Sequence, residues 1–285
     1  MPVYQSRNGP AMSILFPPLS DSMLVEALIP TMIAAGKAVM EVYGGDFSVE
    51  TKGDASPVTE ADRRAEAIIL ADLGRLAPDY AVIAEESCAD GLVPDVGPAF
   101  FLVDPVDGTR EFVHRNGDFT VNVALVRAQG PVCGLVLAPA RGLLFIGVAG
   151  QGSEVLTIKD GAVTQRLPIT VGPPPPGPPR IIASRSHRTA ETDAFIARYP
   201  GAALVEAGSS LKFCLLARGE ADLYPRLGPT MQWDTAAGDA VLRAAGGMVR
   251  DMEGRPLAYG PGEGRGAAAY ANPWFIAHGA KSIAD

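Results

Sequence analysis

The run GPPPPGPP at residues 172–179 sets the first limit on how this 285-residue chain can fold. Proline fixes φ and has no amide hydrogen to donate, so neither a helix nor a paired strand crosses such a run. It acts as a semi-rigid spacer and divides the chain. We expect a larger unit over 21–172, a smaller unit over 180–285, and a flexible extension over 1–20. Hydrophobic residues make up 47% and charged residues 20%, enough apolar surface for real cores. A net charge of −8 argues against a nucleic acid polymer as partner, because binding one through its phosphates needs a basic face. A small phosphorylated ligand stays open, since a bound cation reverses the local sign of the charge.

The two sides of the spacer differ in pattern. Before it, Leu24, Leu28, Met32, Ala35, Val39 and Tyr43 repeat at helical spacing, started by Ser20-Asp21-Ser22 and stopped by Gly44-Gly45. A second helix is expected from about Thr59 to Leu76. Short β-like runs follow at Ala81–Ala84, Phe100–Val103, Thr120–Val126, Cys133–Ala138, Leu143–Val148 and around Val155–Ile158. Two helices and then many strands predict an α+β layer with a largely antiparallel sheet. After the spacer, strands near 181–183, 204–205 and 221–224 alternate with helices near 190–198, 209–217 and 234–245, an α/β pattern. The most apolar stretch, Val132 to Gly150, is interrupted by Pro139, Arg141 and glycines and reads as a buried hairpin rather than an integral membrane segment. The N-terminus does not have the form of a signal peptide, and three scattered cysteines (Cys88, Cys133, Cys214) make no disulfide framework. Both suit a cytoplasmic setting.

The chemistry concentrates in FLVDPVDGTREF, 101–112. A hydrophobic strand delivers Asp104 and Asp107 onto a tight turn, and two such carboxylates suit hard divalent cations such as Mg²⁺. The Val106 carbonyl between them is a further oxygen ligand, and the amides of Gly108 and Thr109 can face an anion. A plain β-turn is the competing reading of DPVDGT. Elsewhere the acids have ordinary explanations too. Glu85-Glu86 end a strand and read as solvated surface, Asp62 in Thr59-Glu60-Ala61-Asp62 reads as a capping-box residue, and Asp234 after Trp233 reads as an N-cap.

Taken in order, AEES at 84–87, DPVDGT at 104–109 and WDTAAG at 233–238 resemble the inositol monophosphatase superfamily of Mg²⁺-dependent, lithium-sensitive phosphatases, over about residues 21–280. KGDASPVTEAD at 52–62, SRSH at 184–187 and GSSLKFCLLARGEADLYPRLGPT at 208–230 are similar to the CysQ-type 3'(2'),5'-bisphosphate nucleotidases. Those enzymes take the 3'-phosphate from adenosine 3',5'-bisphosphate, a by-product of sulfate activation. The resemblance implies a layered αβαβα sandwich and two or three Mg²⁺ ions. It implies that Glu85, Asp104, the Val106 carbonyl, Asp107 and Asp234 form the metal shell. It gives Thr109 with Asp62 the task of activating water, and the Gly108 and Thr109 amides the scissile phosphate. His187, Ser209, Lys212 and Arg226 would bind the nucleotide and its second phosphate, with Arg226 as a planar fork and Lys212 as a point charge. Read without the resemblance, Lys212 is a solvated helix charge, Arg226 pairs with some acid, and His187 is a surface loop residue. SCADGLVPDVGP after Glu86 departs from the nucleotidase pattern. Peripheral association with the inner face of the cell membrane occurs in proteins of this type. No feature here fixes an oligomeric state.

Overall fold

A computed structural model describes residues 19–51, 57–184 and 188–279; residues 1–18 of the expected extension, and His187, lie outside them. Helix α1 (Asp21–Gly44) starts where the Ser20 side chain accepts from the Met23 amide. Helix α2 (Glu60–Leu76) opens on the expected capping box, in which Asp62 Oδ2 accepts from the Thr59 amide at 2.8 Å. Between them, β1 (Glu50–Thr51) pairs with β2 (Pro57–Val58).

Seven strands follow and pair side by side in chain order: β3 (Ala81–Ala84), β4 (Ala99–Asp107), β5 (Thr120–Arg127), β6 (Gly130–Ala138), β7 (Leu143–Val148), β8 (Gly152–Lys159) and β9 (Ala162–Ile169). Only the β3–β4 pair is parallel. Short helices α3 (Glu85–Ala89) and α4 (Thr109–Val113) follow β3 and β4. Beyond the proline run lies a second sheet, made of β10 (Arg180–Ser184), β11 (Ala203–Ala207), β12 (Leu223–Arg226), β13 (Met248–Asp251) and β14 (Phe275–His278) in the spatial order β11-β10-β12-β14-β13. Helices α5 (Ala190–Ile196), α6 (Leu211–Ala217) and α7 (Ala236–Ala244) complete it.

Side-chain alternation sets the layers. Phe101 and Val103 of β4, with Val121, Val123 and Leu125 of β5, pack against the buried stripes of α1 and α2. Phe100 and Leu102, with Ala124 and Val126, point the other way, into a core shared with α6, α7 and the second sheet. Helix α5 covers the far side through Phe195, Ile181 and Leu223. The order is helix, sheet, helix, sheet, helix, as the αβαβα expectation has it. Glycine makes the central contact possible: a Cβ at Gly147 would stand 2.6 Å from Val241 Cα, so only a residue without one lets α7 lie on β7.

By length and composition α1 is apolar enough to cross a bilayer, but half of its most apolar window is buried inside this fold. The hairpin expected within 132–150 is β6–β7. Five strands went unpredicted: the two-residue β1 and β2, β9, exposed along nearly its whole length, and the short β13 and β14.

Candidate active site

Two strand ends build the acidic half of the site. Ala84 of β3 pairs in parallel with Val103 of β4, so Glu85 and Asp104 emerge side by side. Residues three apart on a regular strand point to opposite faces, which would separate Asp104 from Asp107. The strand is not regular there. Asp104 lies opposite Asn122 and Asp107 opposite Thr120, so three steps on β4 match two on β5. This bulge brings both aspartates to one cleft. Gly108 then takes φ 89°, left-handed and natural to glycine, and a Cβ there would lie 3.2 Å from the Asp118 carbonyl oxygen. Phe112 of α4, packed among Tyr43, Phe47 and Phe119, anchors the turn.

The cleft holds about 470 Å³ and is lined by the acidic turn, Glu85, Asp104, Val106, Asp107, Gly108 and Thr109, and by Arg188, Lys212, Tyr224 and Arg226. Asp234 reaches it from the loop before α7. Asp62 lies beside it, with the Thr109 hydroxyl 3.5 Å from Asp62 Oδ1 and 3.1 Å from the Val106 carbonyl oxygen. Nearly every site residue named from sequence is therefore gathered in one place; His187 lies outside the described residues.

Four expectations need correction. Asp234 is not an N-cap: α7 begins at Ala236 after Thr235, and Asp234 Oδ2 accepts from Thr230 Oγ1 at 2.7 Å and the Met231 amide at 2.9 Å. Ser209 does not open a helix, since α6 starts at Leu211. Ser209 holds φ 44°, and its hydroxyl donates to the Asp118 carbonyl at 3.0 Å, so it is engaged inside the protein. Lys212 is not a solvated charge but a buried one, 6% exposed, with Nζ 5.4 Å from the Tyr224 ring centroid. Among the described residues Arg226 pairs with no acid; its Nη2 donates to the Pro229 carbonyl, and its Nε is buried with no partner there.

Burial and mutual repulsion dominate the electrostatics. Burial, then the charges of Glu85, Asp107 and Asp234, hold Asp104 well above the usual carboxylate range. Asp107 is pushed up to about 7 by burial and by Asp234, with Lys212 pulling the other way. Burial lowers Lys212 to about 8 despite the neighbouring acids. A divalent cation relieves all of these strains at once, so the donor set fits one. Among the described residues, no three His, Cys, Asp or Glu side chains already form a metal cage.

Several residues that shape the site were not singled out in the sequence. Glu66 accepts from the Glu86 and Ser87 amides, both at 2.9 Å, and fixes α3 beside Glu85. Asn122 and Ser210 contact Asp107. Asn122 alone carried a signal, as a polar residue at a position on β5 that the strand buries completely.

The comparisons agree with this geometry. The chain matches the inositol monophosphatase family over residues 21–283, and it belongs to that family. It is 41% identical over 250 residues to a Shigella flexneri protein named 3'(2'),5'-bisphosphate nucleotidase CysQ, covering 85% of this chain and 94% of that protein. The Escherichia coli K12 protein of the same name is 41% identical over 243 residues, with the same coverage. Among solved structures, CysQ from Bacteroides thetaiotaomicron superposes with a TM-score of 0.73 at 35% identity, covering 89% of this chain and 96% of that one. The Thermotoga maritima inositol monophosphatase superposes at 0.70 with 25% identity, over 90% and 91% of the two chains.

Proposed function

We propose that the chain is a Mg²⁺-dependent phosphatase that removes the 3'-phosphate of adenosine 3',5'-bisphosphate, giving AMP and phosphate. The observation that carries this reading is a single cleft that gathers a bulged acidic turn with a buried lysine and an arginine with an unsatisfied nitrogen. A bisphosphate offers two anions, one to be cleaved among cations and one to be held by protein cations. The identity to CysQ nucleotidases supports the choice of nucleotide.

Glu85, Asp104, the Val106 carbonyl, Asp107 and Asp234 hold the metal. When bound, Mg²⁺ supplies a water of lowered pKa and a clamp on the phosphate oxygens. The protein's own groups do the positioning. The Thr109 hydroxyl, between Asp62 and the Val106 carbonyl, orients the attacking water and passes its proton toward Asp62. The Gly108 and Thr109 amides hold the scissile phosphate. Lys212 and Arg226 take the second phosphate, while Ser209, bound inward, shapes that wall through its backbone. His187 belongs with this group through the resemblance. The protein is cytoplasmic in this reading, and fractionation of cells expressing the full chain tests that placement.

The test is phosphate release with Mg²⁺ from adenosine 3',5'-bisphosphate, inositol 1-phosphate and fructose 1,6-bisphosphate side by side, with and without lithium. Preference for the nucleotide, lost on adding lithium, is expected. Preference for a sugar phosphate would keep the metal roles and remove the nucleotide roles of His187, Ser209, Lys212 and Arg226.

A further inference from the structure

Asp107 and Asp234 come from different parts of the chain, one at the end of β4 and one in the loop between β12 and α7. One residue touches both. The Ser210 amide donates to Asp107 Oδ2 at 2.6 Å, and the Ser210 hydroxyl donates to the Asp234 carbonyl at 2.6 Å. Asn122, on β5, braces the same residue: its Nδ2 lies 3.1 Å from Ser210 Oγ and 3.4 Å from Asp107 Oδ2. Ser210 is 1% exposed and Asn122 0%, so water does not compete for these bonds.

The local backbone is bent to this arrangement. Ser209, immediately before, holds φ 44°, a left-handed conformation that strains a residue with a side chain. With Ser209 turned so, its hydroxyl faces the Asp118 carbonyl while Ser210 presents its amide to the Asp107 carboxylate and its hydroxyl to the backbone carbonyl of Asp234. Ser210 thus ties the Asp107 side chain to the Asp234 main chain, and each carboxylate is anchored through one oxygen. Asp107 Oδ2 is taken by Ser210 and Asn122, and Asp234 Oδ2 by Thr230 and Met231.

We infer that Ser210, braced by Asn122, is a positioning residue that sets the separation of Asp107 and Asp234 and thereby the affinity of the cation site. This rests on the reading of those two carboxylates as metal ligands. Loss of a group that orients a ligand costs about 10–100-fold in metal affinity.

The experiment is Mn²⁺ binding to the full chain without substrate, followed by electron paramagnetic resonance, with melting in EDTA as a control on folding. Ser210→Ala keeps the amide bond to Asp107 and loses the hydroxyl bond to Asp234. It is expected to weaken Mn²⁺ binding by about tenfold or more, and Ser210→Thr, which restores a hydroxyl, to recover most of that loss. A purely structural role would lower the melting temperature in EDTA and leave the affinity alone. If Ser210→Ala does not fold, Asn122→Ser carries the test, since it removes the brace and leaves Ser210 in place. Folded variants that bind Mn²⁺ as the parent does would overturn the inference alone. A parent chain that binds no Mn²⁺ would overturn the metal reading, and this inference with it.

Discussion

Replacing Asp107 by asparagine should make the metal-free protein more stable while removing its activity. In the fold Asp107 sits at about 7, against 3.8 for an ordinary aspartate, chiefly because it is buried and next because Asp234 repels it. The folded state therefore holds its proton more tightly than the unfolded chain does. Stability falls as pH rises from about 4 to about 7 and stays low above that. At about 1.36 kcal/mol per pH unit the full difference is roughly 4 kcal/mol, and solvent screening of this partly exposed group leaves roughly 2 kcal/mol. Asparagine carries no charge, yet its carbonyl oxygen can still accept from the Ser210 amide. For a chain of this size about 2 kcal/mol corresponds to roughly 4–8 °C in melting temperature. The assay is thermal melting at pH 8 in EDTA and again in Mg²⁺, alongside phosphate release. Asp107→Asn should melt higher than the parent in EDTA, gain less from Mg²⁺, and lose about 100-fold or more in rate. A variant that melts at or below the parent in EDTA, or that gains as much from Mg²⁺, would refute the idea that this carboxylate is kept under strain for a cation.

Three further outcomes test other parts of the account. His278, on the strand between β12 and β13, is lowered to about 4 by burial and by Arg250, so the unfolded chain takes up a proton between pH 6.5 and 4 that the folded chain refuses. Stability should fall by about 3 kcal/mol as pH drops through that window, and His278→Leu should flatten the fall in a urea titration series; an unchanged profile would count against it. Gly147→Ala would press a methyl group onto the α7 backbone and should cost about 1–3 kcal/mol in a melting experiment, whereas no loss would mean that the helix does not rest there. Arg226→Ala should lower kcat/KM for adenosine 3',5'-bisphosphate by about 10–100-fold and spare inositol 1-phosphate, and equal losses on both would remove Arg226 from the second phosphate.

Local signals carried much of the fold. The span of α1 followed from its apolar stripe and its Ser and Gly punctuation, α2 from its capping box, and β7 from a run of apolar residues bounded by glycine. β9 escaped because both of its faces are exposed, so no alternation marks it. β13 and β14 are four residues each and gain their place by pairing with one another and with β12, a long-range fact. The site divides in the same way. DPVDGT was legible because one local segment carries strand, acids and turn. Asp234 was legible as an acid but not in its geometry, because the turn that binds it through Thr230 and Met231 looks in sequence like the start of a helix. Glu66 and Ser210 were not legible at all, and Asn122 only as a polar residue within an apolar strand: each acts on a residue 15 or more positions away, and only the folded chain brings them together.

The most direct test of the central claim is to identify the nucleotide left after turnover. With adenosine 3',5'-bisphosphate and Mg²⁺, chromatographic separation of the products should give adenosine 5'-phosphate, because in the proposed reading the acidic turn would cleave at the 3' position while Lys212 and Arg226 would hold the 5'-phosphate. Adenosine 3'-phosphate as the product would mean that the two phosphate sites have been assigned the wrong way round.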